Sequence, residues 1–241
     1  MPRTPAQAGV QGGIRNPHRI ELWTPACAGA AIPAQCASMA AFLQQTVLVT
    51  FRLQQEDEMD ATTLIDDVID REGGYVDHPA DRGGPTRYGI TQAVARGEGY
   101  TGPIRDLPRP LAARIYRARY WHAPNFAGVA TRAPLLAAEL FDTGVNMGPA
   151  VAATFLQRVL NALNRQQRDW PDLIVDANIG TRTLHALDTL LATRGASAEA
   201  VLVKAINALQ GERYLHLAET RPANEAFLYG WLATRVDAPR V

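Results

Sequence analysis

The sequence predicts a mainly α-helical protein with one small irregular or β element near residues 75–91. Three observations carry this. Apolar residues recur at helical spacing in nearly every segment after Met59, strand-type alternation is almost absent, and residues 75–90 break the helical period with Gly, Pro and Asp.

Taken in order, Leu64, Ile65, Val68 and Ile69 fall on one helical face, with Thr62 or Thr63 expected as N-cap and Gly73-Gly74 as the stop. Residues 75–90 read as a loop or small β-hairpin. Thr91 is expected to cap a short helix to about Arg96, and Pro108 and Pro110 to open another that runs to about Trp121. Further helices are expected at about 133–146, 149–163, 181–193, 197–219 and 224–235. Val151, Phe155, Val159 and Leu163 form a representative apolar stripe.

The first 58 residues differ. They contain Pro2, Pro5, Pro17, Pro25 and Pro33, and the hexapeptide starting at Thr4 recurs in near-identical form at Thr24. No helical or strand period runs through 1–36, so they read as disordered. Residues 37–51 are uncharged and partly apolar, but too short for a span of roughly 20 residues and without the preceding basic region of a signal peptide. Residues 1–58 are therefore expected to be a disordered extension, or upstream sequence read from a misassigned start. Residues 59–148 and 149–237 follow as two regions or one integrated fold.

Composition removes several chemistries. The 241 residues carry 24 Lys+Arg against 24 Asp+Glu, which argues against a general nucleic-acid or membrane-surface binder. Ser38 and Ser197 are the only serines, and neither has a nucleophile-elbow context. Lys204 is the only lysine and lies outside any phosphate-loop pattern. Cys27 and Cys36 lie in the first 40 residues, and the histidines (18, 78, 122, 185, 216) form no close pair. Carboxylates remain as the catalytic candidates. No metal and no organic cofactor are expected. Residues 60–81 hold seven acids and one base, and 82–119 hold eight arginines and two acids. This is either mutual neutralisation across the fold or a cleft with an acidic floor and basic rim.

Glu72 stands out by position. It lies four beyond Val68 and seven beyond Ile65, so it continues the apolar stripe. Partial desolvation there is expected to raise its pKa, and the two glycines that follow let a substrate approach closely. Such a carboxyl suits a glycosidase general acid; the alternative is a helix-terminal Glu paired with an arginine. Asp77 and Asp81 follow in the loop as candidate second carboxylates, or as turn formers.

Residues 72–91 resemble the signature of glycoside hydrolase family 108, the bacterial and phage N-acetylmuramidases also called secretion-activator proteins. The match falls on Glu72, Gly73, Gly74, Tyr75, Pro79, Asp81, Gly83, Gly84, Thr86, Gly89, Ile90 and Thr91. Ile115–Trp121, Phe141–Gly148 and Phe227–Val236 resemble three further motifs of that family, in the same order. The sequence departs from the pattern at His78, commonly Asp, and at Arg82, commonly Pro.

The resemblance implies a lysozyme-like, mainly α fold with a small β element. It also implies hydrolysis of the β-1,4 bond between N-acetylmuramic acid and N-acetylglucosamine, with Glu72 as catalytic acid. By analogy with phage-type lysozymes, Asp81 and Thr86 would position the water. A water between Glu72 and Asp81 calls for carboxyls about 6.5–9.5 Å apart, and a nucleophile for about 5–5.5 Å. Tyr75, Tyr88, Thr91, Trp121, Asp142 and Asn146 are the candidate substrate contacts. Aromatic faces suit sugar rings, and Asp142 and Asn146 share a helix face, where they serve either an acetamido group or helix stitching. Tyr120 and Trp231 read as core.

Residues 149–237 resemble the family's predicted peptidoglycan-binding region, with the Asp176–Thr183 turn carrying Ala177 where the pattern has Gly. Peptidoglycan is thus the expected partner, with a holin or secretion system implied for delivery. No nucleic acid and no stable membrane insertion are expected, and a monomer is. The expected route is synthesis in the cytoplasm without a usual signal peptide and action on the cell wall. A lytic transglycosylase and a non-catalytic wall-binding or secretion accessory protein are the alternatives.

Overall fold

A computed structural model describes residues 61–77 and 84–236. They open within a helix through 61–72 (α1), whose inward face is Ile65, Val68 and Ile69. Thr62 and Thr63 already lie inside this helix, so neither caps it as the sequence suggests. Thr62 Oγ1 instead accepts a hydrogen bond from Arg117 at 2.7 Å. Gly73 ends the helix with φ +72, a conformation that favours glycine, and its N–H donates to Ile69 O at 3.2 Å.

The next segment forms a three-stranded antiparallel sheet: β1 Tyr75–Val76, β2 Thr86–Arg87 and β3 Ile90–Thr91, in that order. Val76 lies opposite Thr86, and Thr86 opposite Thr91. The β2–β3 connection is the two residues Tyr88 and Gly89, with φ +53 and +68. Two positive φ values match the twist of a tight hairpin. Residues 78–83, on the β1–β2 connection, lie outside the described residues, as do 1–60. The readings of those segments, including the start at Met59, fall there too.

Short α2 (Gln92–Gly97) is capped by Thr91, whose hydroxyl accepts from Val94 N at 3.2 Å. Helix α3 (Arg109–Tyr116) opens on Pro108 and Pro110, and continues into a π-helical turn, Arg117–His122. Helix α4 (Phe126–Ala130) has no counterpart in the sequence reading, because five residues are too short to show a period. Then come α5 (Pro134–Met147), α6 (Pro149–Leu163), α7 (Thr181–Arg194), α8 (Ala198–Thr220) and α9 (Glu225–Arg235), each within a residue or two of expectation. The fold is mainly α with a small β element.

One hydrophobic cluster joins these elements. It includes Ile65 and Ile69 of α1, Ile115 of α3, Leu140 and Phe141 of α5, Leu156 and Leu160 of α6, Leu187 of α7 and Ile206 of α8. The described residues all belong to one compact unit, Val47–Val241. Polar links tie its early and late parts together. Glu199, at the start of α8, accepts from the N–H groups of Leu135 (2.7 Å) and Leu136 (3.2 Å). It thereby satisfies the N-terminus of α5, which has no local side-chain cap. Asn125 donates to Ile179 O at 2.7 Å, and Arg132 pairs with Asp188 at 2.8 Å.

Among the described residues, no helix is long and apolar enough to cross a membrane.

Candidate active site

Glu72 is the last residue of α1 and is exposed. The expectation that it continues the buried stripe is corrected here. Ile65, Val68 and Ile69 meet the core, but the stripe outruns the core in the final turn, so position 72 meets the β2–β3 turn instead. A Cβ built on Gly89 would lie 3.0 Å from Glu72 Oε2 and 2.8 Å from Tyr116 Oη. Glycine is therefore required twice at 89, by its positive φ and by the carboxyl and hydroxyl packed over it.

Tyr116 is buried in α3, and its hydroxyl donates to Tyr88 O at 2.9 Å. Burial, and then the charge of Glu72, push the Tyr116 hydroxyl well above the usual tyrosine range. It stays a neutral donor beside the carboxyl. That hydrogen bond also steadies Tyr88 in its left-handed backbone conformation.

Asp142 is held as a junction. Its Oδ1 accepts from Arg71 at 3.1 Å and from Arg235 at 3.0 Å, and its Oδ2 from Asn146 at 3.0 Å. Asn146 Nδ2 also donates to Asp142 O at 2.8 Å. Asp142 and Asn146 therefore come together, as their spacing suggests; Asp142 stitches helices, so that α5 holds α1 through Arg71 and α9 through Arg235, while Asn146 bonds to Asp142 within α5. Arg71 immediately precedes Glu72, so this junction fixes the end of the helix that carries the carboxyl.

The other candidates lie as follows. Tyr75 is 37% exposed on β1; its hydroxyl donates to Asp77 Oδ2 at 3.0 Å, and the Arg105 guanidinium lies over its ring at 5.2 Å. Thr86 is half-buried on β2, and Tyr88 half-buried on the hairpin turn, with the Arg87 guanidinium 5.1 Å from its ring centre. Thr91 is occupied as the α2 cap. Trp121, proposed as a substrate contact, is 3% exposed and packs edge-on against Phe141 at 5.9 Å. Its ring is a core side chain, because the π-helical turn rotates it inward. Tyr120 is half-buried against Tyr116, and Trp231 half-buried between Tyr214 and Phe227. Asp81 lies outside the described residues, so its separation from Glu72 carries no distance here.

The segregated charges pair in part. Arg109 donates to Asp66 at 2.9 Å and also to Asp70, and Arg119 pairs with Glu98 at 2.9 Å. Tyr116, Gly89 and Arg71 are the site residues not singled out from the sequence. Each had a signal: the first two sit in matched motifs, and Arg71 is the only base in an acidic run. Among the described residues, no group of three or more His, Cys, Asp or Glu side chains could hold a metal ion.

Residues 65–148 match the model of the Glycosyl hydrolase 108 family, a span that runs from α1 through the hairpin to the end of α5. The match covers about a third of the chain, and these residues are similar to that family. The glycosyl hydrolase 108 segment thus contains Glu72, Gly89, Tyr116 and Asp142. Residues 151–236 match the model of a Predicted Peptidoglycan domain. No curated protein matches the chain. Among solved structures, one described as the structure of Brucella abortus SagA is 24% identical, covering 74% of this chain and 97% of that one, with a TM-score of 0.48. The chain therefore joins a segment similar to glycosyl hydrolase 108 proteins to one similar to a predicted peptidoglycan domain. The Arg235–Asp142 and Asn125–Ile179 contacts cross between the two segments.

Proposed function

We propose that the protein is an N-acetylmuramidase, cleaving the β-1,4 bond between N-acetylmuramic acid and N-acetylglucosamine with Glu72 as general acid. The observation that carries this reading is the placement of Glu72. Within the segment matching glycosyl hydrolase 108, its exposed carboxyl packs over the Gly89 turn, on a helix end fixed by Arg71 and Asp142. A glycan lying across the turn would take the carboxyl out of water, supplying in the complex the desolvation that the free protein lacks. Glu72 then protonates the glycosidic oxygen, and Asp81 with Thr86 activates the attacking water. Tyr75 and Tyr88 offer ring faces to the sugars. A positioned acid of this kind contributes about 10²–10⁴-fold. Residues 149–236 hold the peptidoglycan, so that binding and cleavage act on one polymer.

The test is digestion of purified peptidoglycan by the wild type and by Glu72→Gln, with products identified by mass. Hydrated reducing-end muropeptides, lost in the variant, are the expected result. Anhydro products would reassign the chemistry to a lytic transglycosylase. A folded wild type that releases nothing would overturn the enzymatic reading.

A further inference from the structure

A cavity lies away from Glu72, in the 151–236 segment. It is a cleft of about 610 Å³ between the loop at 170–180 and the start of α7. Three amide side chains at helical spacing, Gln157 and Asn161 on α6 and Asn164 just past its end, hold its loop wall. Gln157, fully buried, donates to Asp176 Oδ1 (2.8 Å) and Asn178 O (3.0 Å) and accepts from Ala177 N (2.9 Å). Asn161 exchanges two 2.8 Å bonds with the Leu173 backbone, and Asn164 donates to Asp172. The loop has no regular secondary structure, yet it is held shut from below.

Three features of this cleft point to a ligand. The 14-residue helix α7 begins at its edge with no side-chain cap on Gly180, so its first N–H groups are free for an anion. Arg182 and His185, both exposed, rise from that first turn, while the lining acids Asp172 and Asp176 are already engaged by Asn164 and Gln157. Trp170, 4% exposed, lines the cleft, and its buried indole N–H finds no acceptor among the described residues. Beside these, Ile174 presents an aliphatic side chain that is 73% exposed.

From this we infer that the cleft binds the stem peptide of peptidoglycan through a free carboxylate. The inference rests on the peptidoglycan reading above and names which part of the polymer this segment takes. A sugar chain whose lactyl groups are tied up as amides offers no free carboxylate to the Arg182 turn. The buried Trp170 also presents no open ring face on which a pyranose could lie. A short peptide of alanine and acidic residues offers what the cleft lacks: a carboxylate for Arg182 and the α7 N–H groups, a carbonyl for the Trp170 indole and a methyl group for Ile174.

The experiment is titration of the isotope-labelled full chain with the synthetic tripeptide L-Ala–γ-D-Glu–meso-diaminopimelate, its fully amidated form, and peptide-free glycan strands whose lactyl carboxyls are capped as methylamides. The Trp170 indole N–H signal, assigned with Trp170→Phe, is the readout. The tripeptide is expected to shift that signal. Arg182→Glu should weaken binding by about tenfold or more, amidation should weaken it similarly, and Glu72→Gln should bind as the wild type does. Arg182 is exposed, so the variant's unchanged spectrum elsewhere reports an intact fold. An unmoved Trp170 signal, equal binding by Arg182→Glu, or a response to glycan strands alone would each overturn the inference. Product analysis on whole peptidoglycan decides the muramidase reading separately, so either can fail without the other.

Discussion

Replacing Glu139 by Gln should stabilise the protein at neutral and alkaline pH and remove most of a pH dependence that the wild type shows. Glu139 lies on α5, only 3% exposed. Burial, and then the charge of Asp142, push its carboxyl up to about 8, against an ordinary 4.5, although Asn207 and Thr143 hydrogen-bond to it. The cluster around it lacks donors: Glu139 Oε1, Asn207 Oδ1 and Gln210 Oε1 are all buried acceptors without a partner among the described residues. Gln210 directs one of its two amide hydrogens to Thr143 Oγ1 at 3.2 Å. A proton on Glu139 supplies one missing donor, and a glutamine amide supplies the same without titrating.

The sign follows from proton counts. Between about pH 4.5 and 8 the folded state keeps a proton that the unfolded state has released. Stability should therefore fall as pH rises through that window and level off above it. The full gap corresponds to ~5 kcal/mol at about 1.4 kcal/mol per pH unit. Relaxation and water entry around the charge should reduce the observed loss to about 2–4 kcal/mol. Urea denaturation from pH 5 to 9 on both proteins measures it. Parallel stability curves for the wild type and Glu139→Gln would refute the buried, proton-holding carboxyl.

Three further outcomes are expected. Gly89→Ala places a methyl group 2.8 Å from Tyr116 Oη and 3.0 Å from Glu72 Oε2 at a positive φ; it should cost about 1–2 kcal/mol in the thermal midpoint and, by moving the acid, lower kcat on peptidoglycan about 10²-fold. Asp142→Ala leaves Arg71 and Arg235 without their shared acceptor at a part-buried junction; chemical denaturation should show a loss of about 1–3 kcal/mol, and a loss below about 0.5 would mean that solvent already screens the links. Ala177→Gly relieves a non-glycine residue at φ +61; it should raise the denaturation midpoint by about 0.5–1 kcal/mol equivalent, and an unchanged midpoint would place the compensation in the unfolded chain.

The sequence by itself determined the helices from α5 to α9, because each carries an apolar stripe long enough for its period to show, and the Gly73-Gly74 stop, because glycine leaves little else possible there. It also singled out Glu72, through its place at the end of such a stripe and the motif around it. What it could not determine was how far the core extends. The same periodicity that selects Glu72 puts it inside, whereas in the fold the core ends one turn earlier, and the carboxyl comes out over Gly89. Periodicity says which way a side chain faces along its own helix and nothing about whether another element stands opposite. Trp121 fails in the other direction: an aromatic in a motif reads as a sugar contact until the π-helical turn carries it into the core. Asp142 and Asn146 were legible as neighbours, but their partners Arg71 and Arg235 lie 71 and 93 positions from Asp142. Such long-range pairing exists only once α1, α5 and α9 are packed, and it is that packing, not any local preference, which fixes the helix end that carries Glu72.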